Sequence, residues 1–297
     1  MKIIWLFCEG PHDAGFLTRV LTTFGYLDKS SEYTLATIEK VNKPLYILLD
    51  GYLKQYATLG YKLDKFPSRP SIFKKSEEED TWILLYLTDG NTNFQKVYDI
   101  LRPFLVSRLA STNPFRDVKT AIVFFNDADN GLEQAIKELK KAIEKAYTKE
   151  LQKFIDKKID PNALGYTQSI TLFQDLPEPL KVGNIFQGEE NSIFQKQGYY
   201  VLCKDDLTGK LEDIILPMME KDNEEVFVKS AEFIQNNKRF DKLDSQKATI
   251  GAAGQLEMAG YANAVYIQKG SYLTEEKIKN NAKCQDIISF INAITDI

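Results

Sequence analysis

Four stretches of the chain are almost continuously apolar and stop abruptly: Ile3–Cys8, Trp82–Thr88, Ala121–Asn126 and Tyr199–Cys203. Runs without alternation read as strands buried on both faces, the pattern of a parallel sheet covered by helices. Between them the apolar residues recur at helical spacing, after Asp13, from Phe94, from Leu132 to about Lys158, from Ile214 and around Glu225–Ile234. The alternation predicts an α/β fold, a mainly parallel sheet of about four or five strands flanked by helices. Ala264-Val-Tyr-Ile-Gln reads as one more strand, and Thr274–Ile294 as a helix capped by Thr274 with Glu275 and Glu276 in its first turn. Residues 1–297 are expected to form a single domain. Insertions are expected at about 28–80 and 160–198, with a C-terminal helical extension at about 222–297.

Composition narrows the functional classes. Of 297 residues, 43% are hydrophobic and 12% aromatic, ample for a packed core. The net charge of −4 gives no global positive field, so nucleic acid would have to be held by local basic patches or through metal. Cys8, Cys203 and Cys284 are widely spaced and odd in number, with neither zinc spacing nor a disulfide framework, which points to a reducing cytoplasm. No run reaches the roughly 18 apolar residues of a membrane span, and a soluble protein is expected. His12 is the one histidine, which excludes histidine-rich zinc sites and Ser-His-Asp chemistry; in a turn it is expected to face solvent.

The strand ends carry the chemistry. The third run ends in Asp127-Ala-Asp129-Asn-Gly before a helix, and the first in Glu9-Gly-Pro-His-Asp13. After the fourth run, Glu212 and Asp213 open another helix. Right-handed crossovers bring successive strand carboxyl ends to one edge, where open α/β sheets hold ligands. Acids converging there repel unless a proton or cation lies between them. Each also has a plain structural reading as a helix cap or dipole partner. Asp89-Gly90-Asn-Thr-Asn93 could offer Gly90 and Asn93 to a phosphate, or be an ordinary turn.

Together these pieces resemble the TOPRIM domain in the version found in OLD-family nucleases and small stand-alone relatives. The matching segments are Phe7–Leu17, Thr88–Phe94, Asn126–Asp129 and Gly209–Asp213. The resemblance implies phosphodiester hydrolysis of DNA or RNA with Mg²⁺ (or Mn²⁺). Glu9, Asp13 and Asp127 would hold one ion, and Asp129 and Glu212, with Asp213, a second. Lys247 is the candidate for a catalytic cation at the phosphorus, beside Glu9. The Gly-x-x-x-x-Gly-Lys-Ser/Thr loop of the ATPase in full-length OLD proteins does not occur, so a partner protein would have to supply that activity. A non-catalytic module using the same acidic edge to bind metal, a phosphate-bearing ligand or a protein fits the net acidity. A receiver-like phosphoacceptor fits less well, since a single Glu9 follows the first strand.

Overall fold

The structure is a computed structural model that describes residues 1–53, 70–90, 93–109, 113–129, 131–156, 181–188, 193–205, 208–237 and 244–297. The aromatic stretch beyond residue 53, the basic segment 238–242 and most of the Pro- and Gly-rich stretch after residue 160 lie outside them. The strands are β1 (Lys2–Cys8), β2 (Leu27–Asp28), β3 (Ser71–Lys74), β4 (Thr81–Leu87), β5 (Lys119–Asp127), β6 (Gly183–Gln187) and β7 (Lys196–Leu202). The helices are α1 (Pro11–Thr23), α2 (Leu35–Val41), α3 (Lys43–Leu53), α4 (Phe94–Leu109), α5 (Leu132–Asp156) and α6 (Leu211–Glu220), then α7 (Glu224–Asn237), α8 (Ser245–Glu257), α9 (Asn263–Lys269), α10 (Glu275–Lys279) and α11 (Ala282–Thr295).

The seven strands form one sheet in the order β2-β3-β4-β1-β5-β7-β6. The four apolar runs are its parallel centre, β4-β1-β5-β7, and the remaining strands pair antiparallel at the flanks. Burial on both faces explains the lack of alternation: Ile3, Trp5 and Phe7 point into one core layer, Ile4, Leu6 and Cys8 into the other. The first layer is closed by α2 to α5, with Trp5 against Phe104 at 4.6 Å between ring centroids. The second is closed by α1, α6 and the C-terminal helices.

Three expectations change. The sheet has seven strands because segments read as insertions contribute β2, β3 and β6; Ile72 and Phe73 are fully buried although a charged run follows them. Ala264–Gln268 is not a strand but most of α9. Its β-branched and aromatic residues suggested extension, yet tertiary packing on α1 decides, as it commonly does over propensity. The C-terminal helix is two, because Asn281 starts α11 by accepting the Cys284 N–H at 3.1 Å; Thr274 caps α10 as expected. No helix among the described residues is long and apolar enough to cross a membrane.

The α1–α9 contact depends on Gly15, where a β-carbon would lie 2.5 Å from the Ala264 carbonyl oxygen. Alanine would improve helix propensity by about 1 kcal/mol, but the obstacle is backbone and cannot rotate away. Gly15→Ala is therefore expected to destabilise by about 1–3 kcal/mol, read from urea unfolding. An equally stable variant would mean that α9 does not lie against α1.

Candidate functional site

Strand register sets the site. Cys8 aligns with Leu87 on β4 and Phe125 on β5, so Glu9 and Thr88 leave the sheet level with Asn126. β5 runs on to Asp127, which faces Leu202 of β7. Beyond it the backbone of Asp129 bridges Gly209, its N–H donating to the Gly209 carbonyl at 2.7 Å, which pins the start of α6 to the end of β5. Asp129 adopts φ 45°, a left-handed conformation that Asp tolerates better than most residues.

Three acids that follow separate strands lie within electrostatic reach of one another at this edge. Asp13, 7% exposed, accepts the Gly10 N–H at 2.7 Å through Oδ2 in the first turn of α1. Asp127 accepts the Leu211 N–H at 2.9 Å, the first amide of α6. Glu212, 1% exposed, receives His12 Nδ1 at 3.0 Å and Lys247 Nζ at 3.8 Å on Oε1. Its Oε2 is buried with no hydrogen-bond partner among the described residues.

Burial and mutual repulsion leave a clear electrostatic mark. Desolvation, then the Asp13, Glu212 and Glu9 charges, push Asp127 up to about 8 against the opposing Leu211 amide. Desolvation, opposed by the Gly10 amide and reinforced by Glu9 and Glu212, raises Asp13 to about 7. Burial disfavours the charge on Lys247, yet Glu212, Asp244, Asp127 and Asp13 together hold its proton more tightly than usual. Burial, with Asp13 and Glu9 beside it, also raises the Cys8 thiol, so it stays protonated and is no nucleophile.

The remaining sequence candidates divide. Asp129 is exposed and, with Asp127, Asn126 and Glu138, lines a cavity of about 40 Å³, room for a water-sized group. Glu212 acts electrostatically on Asp13 and Asp127. Asp213 has the plain structural role: Oδ2 accepts the Lys210 N–H at 3.0 Å and Oδ1 the Gln246 amide at 2.7 Å, tying α6 to α8. Gly90, at φ 120°, donates its N–H to the Glu9 carbonyl at 3.1 Å, so that amide fixes the β1 end and is not offered to a phosphate. The exposed side chain of Asn93 lines a separate cleft against α5.

His12 is the residue that sequence reasoning missed. It lies between Glu9 and Asp13, two candidate acids, and a one-turn segment between them cannot place it far from either. That position was the available signal. All-oxygen donors suit Mg²⁺ or Mn²⁺, and the orphaned Glu212 Oε2 is an open ligand atom. Among the described residues, no three His, Cys, Asp or Glu side chains close on a single point as they stand.

A family model described as a protein of unknown function, DUF3226, matches residues 4–296. The chain belongs to the DUF3226 family. Among curated proteins nothing matches it. The DUF3226 chain is similar to the crystal structure of a hypothetical protein from Pyrococcus horikoshii OT3, with 13% identity, TM-score 0.46, and coverage of 99% of this chain and 95% of that one.

The raised acids fix a pH dependence for this DUF3226 protein without metal. An acid whose folded proton affinity exceeds its unfolded one binds more protons when folded, so stability falls as pH rises. The loss should run from about pH 4, where unfolded Asp titrates, to about pH 8, where folded Asp127 has lost its proton. Asp127→Asn keeps an acceptor for Leu211 and removes the charge. It should stabilise the metal-free protein at pH 8 by at least about 1 kcal/mol and flatten the slope, read from melting temperature against pH. A wild-type melting temperature that rises across this window would contradict the buried-acid arrangement.

Proposed function

We propose that this DUF3226 protein is a Mg²⁺- or Mn²⁺-dependent phosphodiesterase of the TOPRIM/OLD-like type acting on nucleic acid. The observation that carries this reading is that Asp13, Asp127 and Glu212, which follow three different strands, lie within electrostatic reach of one another, with Lys247 Nζ 3.8 Å from Glu212. Caps have no need to lie within electrostatic reach of one another, and the repulsion between them is relieved by a divalent cation. A cation bound there would activate water and neutralise phosphate charge. Asp13 and Asp127, joined by Glu9 at the β1 end, are the carboxylates to hold it. Glu212, kept in place by His12, has Oε2 buried and without a hydrogen-bond partner among the described residues, a further oxygen for such an ion. Lys247, held at the start of α8 where Asp244 accepts its N–H at 3.2 Å, supplies a fixed positive charge for the phosphorane-like transition state.

The experiment is titration of Mg²⁺ and Mn²⁺ while following melting temperature and cleavage of plasmid, single-stranded DNA and RNA. Metal should raise the melting temperature more at pH 8 than at pH 6, because binding must displace protons from Asp13 and Asp127. Glu9→Gln and Asp127→Asn should each remove most hydrolysis and the metal-induced shift. Lys247→Ala should lower turnover with metal affinity little changed. His12→Ala, neutral if the ring faced solvent, should instead lower turnover by about tenfold through a less fixed Glu212, with glutamine at position 12 restoring part of it. A metal-induced shift without cleavage of any substrate would favour a non-catalytic metal- or phosphate-binding module. Equal shifts in wild type and Asp127→Asn would remove the metal reading altogether.

A further inference from the structure

The long helix α5 carries an arrangement that the acidic edge does not use. Lys141, Lys145 and Lys149 follow one another at i, i+4 and i+8, which stacks them on one face. All three are exposed, and with Asn93, Gln95 and Glu138 they line a cleft of about 390 Å³ between α5 and the start of α4. None pairs with a carboxylate of a described residue, whereas Lys153, one turn further on, pairs with Glu150 and Asp99. Glu150 is itself taken by Arg102, and Glu138 accepts the Gln134 amide. Like charges one turn apart destabilise a helix by a few tenths of a kcal/mol per pair. Three in a row facing a cleft are therefore a cost unless an anion sits there.

The cleft's position names the anion. Glu138 lines both this cleft and the small cavity beside Asp127 and Asp129, so the lysine row leads to the acidic edge. A lone phosphate needs only one or two cations; three in a line match a chain of phosphates. Among the described residues no aromatic ring lines the cleft, so they offer bases no stacking platform there and the contacts fall on the backbone. We infer that Lys141, Lys145 and Lys149 form a track for the sugar-phosphate backbone of a single-stranded nucleic acid, leading it toward Asp127 without base preference. This inference rests on the phosphodiesterase reading for its substrate class, but it concerns binding alone and can be tested apart from cleavage.

The test is fluorescence anisotropy of labelled oligonucleotides with the full chain in EDTA, where hydrolysis does not occur. Wild type should bind single strands of mixed, oligo-dT and oligo-dA sequence alike, and more tightly than a duplex of equal length. Its affinity should fall with salt as expected for phosphate contacts, about 0.7 in log–log slope per contact. The triple variant Lys141→Gln, Lys145→Gln, Lys149→Gln should bind at least tenfold more weakly, with the slope smaller by roughly 2. These solvent-facing changes should not lower the melting temperature, relief of the like-charge repulsion raising it slightly if at all. They should leave the Mg²⁺-induced shift as in wild type, which separates lost contacts from lost fold. Unchanged affinity and slope in the triple variant would overturn the inference, as would preferential duplex binding. Lost binding in a protein that cleaves nothing would uphold the track and sink the catalytic reading. Full cleavage with unchanged binding in the variant would do the reverse.

Discussion

The burial of like charges at the carboxyl edge of the sheet is the constraint around which the rest is arranged. Asp13 and Glu212 are drawn out of water and Asp127 partly so, and burial with mutual repulsion raises the proton affinity of Asp13 and Asp127. What holds them is a set of donors at element starts: the Gly10 amide, the Leu211 amide, and His12 with Lys247. The Leu211 amide reaches from α6 to Asp127 of β5, His12 and Lys247 reach from α1 and α8 to Glu212 of α6, and the Gly10 amide holds Asp13 at the start of α1. The acids therefore fasten α1, α6 and α8 to the edge as firmly as the helices hold the acids.

The sheet makes this possible by being rigid beneath its edge. Four central strands buried on both faces leave no freedom for Glu9 or Asp127 to shift register, since a slip by one residue would turn every core side chain to the wrong layer. Stacked rings reinforce the centre, with Phe7 5.3 Å from Phe124 across β1 and β5. Gly90 adds a direct tie between the β4 and β1 ends through the Glu9 carbonyl. The flanking antiparallel strands close the sheet at its sides without touching the acidic edge.

Much of this was readable in the chain because the central strands announce themselves by unbroken apolar runs and their ends by acids. What escaped notice depends on distance in three dimensions. Ser71–Lys74 is too short, and too close to charged residues, to stand out as a strand until β4 is seen beside it. The α9 segment has strand-like residues and becomes helical because Gly15 opens a seat for it on α1. Asp213 and Glu212 are neighbours of the same type, and nothing in sequence says which caps and which is buried; helix phase decides. His12 was set aside on the habits of lone histidines, although its place between Glu9 and Asp13 spoke for the site. The lysine row in α5 was visible as a helical repeat but hidden in a net acidic composition.

The Asp127–Leu211 bond makes the charge at the edge and the docking of α6 a single variable. Whatever neutralises Asp127, a proton or a metal ion, weakens its hold on the first amide of that helix. The Leu211 amide proton is therefore a built-in gauge of ionic occupancy. Its chemical shift and its exchange with deuterated solvent should track the state of the edge with no label on any ligand, and a family without an assigned substrate can be screened by watching that one resonance.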